Sequence, residues 1–159
     1  MAVRGLDHVA LTVADVPRTL DFYRRVLGAE VLYEDLWRAG RIPVVILQLG
    51  AARLSIHEAA KPAKPHARTP TPGSADVCFR WEGPLADAAA RLGAAGVAIE
   101  AGPVPRPAAD GRPGASLYFR DPDGNLLELL STDEGTGEAR ARGEGPARAR
   151  SNASGGPPI

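Results

Sequence analysis

Four residues of this sequence carry the chemistry of a metal site: His8, His57, Asp76 and Glu128. Together they offer two imidazole nitrogens and two carboxylates. That mixed donor set suits a divalent zinc, nickel, manganese or ferrous iron ion, whereas calcium wants oxygen throughout. Glu128 is the most informative of the four, because it interrupts the run Leu126, Leu127, Leu129, Leu130. A carboxylate among leucines is costly to bury unless a cation or hydrogen bonds hold it. It therefore points either to water or inward, at a metal or a substrate.

An internal repeat brings the four together. An offset of 68 residues lays Val9, Leu11 and Val13 on Val77, Phe79 and Trp81, Gly28 on Gly96, and His8 on Asp76. An offset of 71 lays the last strand of the first unit on the last strand of the second, and His57 on Glu128. Two such units packed about a pseudo-two-fold axis would set equivalent residues face to face across one cleft. Taken singly, a strand histidine is more often a half-exposed residue with a water or carbonyl partner, and Asp76 suits the start of a strand after Gly73-Ser74. The coincidence of four under one repeat favours a site. Ser55 shares the strand face of His57 and is the alternative cleft residue. Glu58 lies on the other face, and His66 sits in a proline-rich connector and reads as solvated.

The elements that must position these residues follow from periodicity. Residues 6–13 read as a strand. Asp15 is a helix cap, Pro17 suits the first turn, and Val16, Leu20, Tyr23 and Leu27 recur at helical spacing up to Gly28. Residues 29–37, 42–49 and 53–58 read as three strands, completing a βαβββ unit. Residues 61–73 (KPAKPHARTPTPG) form a stiff connector. The pattern then begins again, with a strand at 75–81, an alanine-rich helix at 84–95, a strand at 97–100 and a polar loop at 103–114. A hairpin over 116–131 follows, turning at Asp121-Pro122-Asp123-Gly124. The expected fold is α+β, with two tandem βαβββ modules in a single domain of residues 1–133: module one 5–60, linker 61–73 and module two 74–133. Residues 134–159 have no hydrophobic period and read as a disordered tail.

Composition bounds the function. Acidic and basic side chains balance at 19 each, so no net charge draws the chain to nucleic acid or a membrane surface. The lone Cys78 excludes an internal disulfide and fits a reducing compartment; it reads as a small buried filler and not a nucleophile. No signal peptide and no membrane-spanning run are evident. The expectation is a soluble, cytoplasmic protein.

The stretches LDHVALTVADVPRTLDFYRRVLG and SLYFRDPDGNLLELL resemble the vicinal-oxygen-chelate superfamily, which includes glyoxalases, fosfomycin-resistance proteins, extradiol dioxygenases and bleomycin-binding proteins. RLSIHEA, TPGSADVCFRW and AGPVPR are similar to its glyoxalase-domain-containing-protein 5 branch. The resemblance implies paired modules forming a cup around a divalent metal, with His8 matching the first ligand and Glu128 the last. Asp76 stands where many members have histidine, and His57 stands near the second-ligand position. The resemblance further implies a glyoxalase-like lyase or isomerase acting on a small substrate with adjacent oxygens, through a metal-stabilised enediolate. Glu128 would serve as ligand and base. Tyr118, Arg80 and Arg120 are candidates to orient an anionic substrate, Arg80 because it shares a strand face with Asp76. Tyr118 suits core packing equally well. Superfamily habit and the flat alanine-rich helix point to a homodimer. The rivals are an extradiol dioxygenase using ferrous iron, a bleomycin-resistance-like sequestering protein without metal, and a thiol-transferring resistance enzyme.

Overall fold

The computed structural model describes residues 2–133; the expected disordered tail, 134–159, lies outside the described residues. Two units of like topology follow one another. The first runs β1 (Val9–Val13), α1 (Val16–Leu27), β2 (Glu30–Leu32), α2 (Glu34–Arg38), β3 (Val45–Leu49) and β4 (Ala52–Glu58). The second runs β5 (Asp76–Arg80), α3 (Leu85–Ala94), β6 (Ile99–Pro107), β7 (Pro113–Arg120) and β8 (Leu126–Ser131). Their sheets have matching orders, β1-β4-β3-β2 and β5-β8-β7-β6. In each, the first strand pairs parallel with the last and the remaining pairs are antiparallel. The fold is α+β, two tandem βαβββ modules.

Alternation along the strands divides each sheet into two faces. Leu11, Val13, Val45, Leu47, Leu54 and Ile56 of the first sheet pack with Leu20, Tyr23 and Val26 of α1. Leu117, Phe119, Leu127 and Leu129 of the second pack with Leu85, Ala88 and Leu92 of α3. All of them belong to one continuous core. Full burial of a side chain such as Phe119 or Leu127 is worth about 1.5–3 kcal/mol. The opposite faces carry Ala10, Thr12, Ser55 and His57 in module one, and Asp76, Cys78, Arg80, Ser116, Tyr118 and Glu128 in module two.

Helix α1 begins where Asp15 Oδ1 accepts the Arg18 N–H at 2.9 Å and ends at Gly28, which is left-handed at φ 71°. The β7–β8 turn is closed by the Gly124 N–H donating to the Asp121 carbonyl at 3.0 Å, as a type I turn requires. That turn also fastens the modules together. The buried Asp121 carboxylate accepts from Tyr23 Oη at 3.2 Å and from Asn125 Nδ2 at 2.8 Å. Asp123 Oδ2 accepts the Ala14 N–H at 3.2 Å, and the Pro122 carbonyl accepts from Arg18. On the far side, Arg25 donates to the Ala95 carbonyl and Arg91 to the Val26 carbonyl.

Three expectations are corrected. The strand at 29–37 ends at Leu32, and Glu34–Arg38 is helical. Glu34 opens this helix, accepts from Arg38 one turn later at 2.6 Å and from Arg24 at 2.7 Å, and complements the helix dipole. The loop at 103–114 is mostly strand, since β6 runs to Pro107 and β7 starts at Pro113. Its prolines, Pro103, Pro105 and Pro107, fall on alternate residues of an edge strand, where the missing N–H groups would only have faced outward. Finally, β1 begins at Val9, so His8 stands just ahead of the strand.

Candidate functional site

Glu128 sits at the centre of the module-two face. It lies in β8 directly beside Cys78 of β5 and Tyr118 of β7. The side chain is half-buried. Its Oε1 accepts a hydrogen bond from the hydroxyl of Ser116, which is completely buried. One carboxylate oxygen is thus fixed, and among the described residues no N–H or O–H group of a side chain donates to the other. Asp76 opens β5 on the same face, level with Leu126 and so two residues short of Glu128. It is exposed.

Cys78 is a correction: it is exposed on this face and not a buried filler. Enclosure by its neighbours, followed by the Glu128 and Asp76 carboxylates, pushes its thiol up to about 12. It stays a neutral thiol at physiological pH and is a poor nucleophile, in line with the expectation on that point.

In module one, His8 is exposed and its Nδ1 lies 2.8 Å from Asp7 Oδ1. His57 is half-buried near the end of β4, level with Thr12. Burial, and then the nearby imidazoles of His66 and His8, hold its pKa below the usual histidine value. His57 is therefore neutral near pH 7, the form that binds a metal. The strand register revises the repeat. Val9 is level with Leu54, and Val77, its equivalent, is level with Leu127. The last strands therefore superpose at an offset of 73, not 71, so Ser55 occupies the position equivalent to Glu128. His57 stands two residues further along. Ser55 is buried, at 5% exposure.

The donor types fit a divalent transition metal. Among the described residues, however, no three His, Cys, Asp or Glu side chains of one chain are placed to hold an ion. The candidates form two half-sets, His8 with His57 on module one and Asp76 with Glu128 on module two.

Of the candidate substrate groups, Tyr118 is half-buried beside Glu128, and its hydroxyl accepts from Arg106 Nε at 3.0 Å. Arg80 is engaged: it donates to Thr132 Oγ1 at 2.8 Å and faces Asp110 at 3.6 Å. Arg120 is clamped on both oxygens of Glu100 at 2.6 and 2.8 Å. Ser116 and Arg106 did not emerge from the sequence. Ser116 was findable, lying two residues before Tyr118 and hence on its face. Arg106 was not, because a stretch read as loop has no faces.

Comparison with known proteins identifies the fold's family. The model of the glyoxalase/bleomycin resistance protein/dioxygenase superfamily matches residues 5–129. The chain belongs to that superfamily. It is 40% identical over 131 residues to glyoxalase domain-containing protein RDO1 of Mycosarcoma maydis, covering 82% of this chain and 70% of that one. It is 39% identical over 130 residues to virulence protein STM3117 of Salmonella typhimurium, covering 81% and 85%. The crystal structure of STM3117 superposes with a TM-score of 0.74 over 82% of this chain and 98% of that one, at 37% identity. An ethylmalonyl-CoA/methylmalonyl-CoA epimerase of Cereibacter sphaeroides is 30% identical over 128 residues, covering 78% and 95%. The fold is shared with the fosfomycin resistance protein FosX of Listeria monocytogenes, solved with Mn(II) and dihydroxypropylphosphonic acid (TM-score 0.55, 24% identity, covering 83% and 92%). That protein holds a divalent metal and a small ligand on the same fold. Among the described residues no helix is long and apolar enough to cross a membrane.

Proposed function

We propose that this superfamily member is a metal-dependent, glyoxalase-like lyase or isomerase acting on a small substrate with adjacent oxygens. The observation that carries the reading is Glu128. It is a half-buried carboxylate at the centre of a strand face, tethered at one oxygen by Ser116 and flanked by Asp76, Cys78 and Tyr118.

His8, Asp76 and Glu128 would hold the ion, with His57 or Ser55 nearest on the module-one side. When bound, a divalent metal supplies Lewis-acid stabilisation of negative charge on two neighbouring substrate oxygens. The chain's own groups do the rest. Glu128, switching between ligand and base, takes a proton from the carbon beside a carbonyl and returns it to that carbon or its neighbour. Tyr118, its oxygen already accepting from Arg106, has its hydroxyl proton to donate to a substrate oxygen. Cys78 remains a spectator thiol. The two half-sets in one chain are best reconciled by a homodimer in which the module-one face of one copy meets the module-two face of the other. The epimerase relative supports the proton-transfer class, since epimerisation removes and returns a proton at one carbon. The likeness to the glyoxalase-domain-containing-protein 5 branch and a cytoplasmic location belong to the same reading.

The test is metal analysis of the purified protein, followed by a screen of α-hydroxycarbonyl and α-dicarbonyl substrates in deuterated water. Glu128→Gln should lower turnover by roughly a hundredfold or more, the scale of general-base loss. Oxygen consumption with a catechol would move the assignment to a dioxygenase. Tight ligand binding with neither metal nor turnover would move it to a sequestering protein.

A further inference from the structure

The module-two face holds an arginine unlike its neighbours. Arg80 faces Asp110, Arg112 pairs with Asp110, and Arg120 pairs with Glu100. Arg106 has no ion-pair partner among the carboxylates of the described residues. Its guanidinium instead lies over the ring of Tyr118, 5.9 Å from the centroid, with Nε donating to Tyr118 Oη at 3.0 Å. A further, longer contact of 3.3 Å runs from Nη1 to the Pro105 carbonyl. Nη2 has no partner among the described residues. The side chain is held from both ends. Pro105 and Pro107 stiffen the backbone on either side, and Arg106 stands level with Gly114 in the β6–β7 ladder.

Two consequences follow from this arrangement. The cation is uncompensated yet positioned, which lowers the entropy cost of binding an anion. Tyr118 accepts from Arg106, so its own hydroxyl proton is free for an oxygen acceptor. Tyr118 stands level with Glu128 across the β7–β8 ladder, and Arg106, exposed on the same face, reaches toward it through the Tyr118 hydroxyl.

We propose that Arg106 and Tyr118 form an oxyanion subsite, and that the substrate carries a carboxylate or phosphoryl group close to the carbon at which Glu128 acts. This rests on the reading of Glu128 as the reacting carboxylate and adds the substrate's charge class. The arginine that selects the substrate is then Arg106, in place of the engaged Arg80.

Inorganic phosphate and acetate, titrated separately into the full-length protein and followed by backbone amide NMR shifts, test it. At least one of the two should shift the amides around Arg106, Tyr118 and Glu128 in a saturable way, and which one binds more tightly names the group. Arg106→Ala should weaken that binding tenfold or more, and Tyr118→Phe by a smaller factor. Arg112→Ala, which removes the same charge from the adjoining β6–β7 loop, should leave it unchanged. Unaltered anion binding in Arg106→Ala, a loss that follows Arg80→Ala instead, or no saturable shift with either anion would overturn the proposal. Arg106-dependent binding combined with unchanged turnover in Glu128→Gln would leave the subsite standing and remove the reading of Glu128.

Discussion

At the residue scale, the face around Glu128 is defined by which hydrogen bonds are already made. Ser116 is fully buried and spends its hydroxyl on Glu128. Partners behind a ligand typically set metal affinity by ten- to a hundredfold. Ser116→Ala should therefore weaken Mn(II) binding on that scale with little change in melting temperature, and Ser116→Thr, which keeps the hydroxyl, should restore it; calorimetric titration reads both. Cys78 offers an independent check of the local field. Its thiol is exposed but pushed up to about 12 by enclosure and by Glu128 and Asp76. Alkylation of the metal-free protein by iodoacetamide should therefore stay slow through pH 9, where an ordinary cysteine is largely thiolate. In Glu128→Gln the reaction should quicken, because one of the raising charges is gone. A wild-type rate matching a free thiol would contradict the placement of Glu128 beside Cys78.

At the element scale, the β7–β8 turn is both the carrier of the site and the fastening between modules. Tyr23 donates to the buried Asp121, and burial and the adjoining Asp121 charge push its hydroxyl pKa far above the ordinary tyrosine value. Tyr23→Phe leaves Asp121 short of one donor and should cost about 1–3 kcal/mol in denaturant unfolding. The sign with pH follows from linkage. A folded-state pKa raised above the unfolded one gives stability that is present below about pH 10 and lost as pH rises past it. Wild type should accordingly lose stability more steeply than Tyr23→Phe above pH 10.

Most of these elements were legible in the sequence, because Asp15, Gly28 and the Asp121–Gly124 turn act locally. Two were not. Helix α2 depends on Glu34 pairing with Arg38 and with Arg24 of another helix, and the second of these is a tertiary contact. Strand β6 was read only over 97–100, and its continuation to Pro107 is hidden by prolines that an edge position tolerates. The ligand candidates were legible by residue type, whereas their register was not. The loops of the two modules differ in length, and only the strand ladders show that Ser55, not His57, matches Glu128.

At the scale of the whole molecule, the candidate donors divide between the modules, His8 and His57 on the first and Asp76 and Glu128 on the second, and no three of them come together among the described residues. In the proposed reading a second copy of the chain completes the set. Mixing two damaged copies tests this most directly. His8→Ala and Glu128→Ala are each prepared metal-free, mixed in equal amounts under conditions that exchange subunits, and loaded with Mn(II), with tightly bound metal counted by electron paramagnetic resonance. If the site is shared between copies, each variant alone retains little tight metal. The mixture should then recover about a quarter of the wild-type content, because half of randomly formed dimers are mixed and each of those holds one intact site of two. Recovery of none by the exchanged mixture, while wild type binds fully, would contradict a shared site.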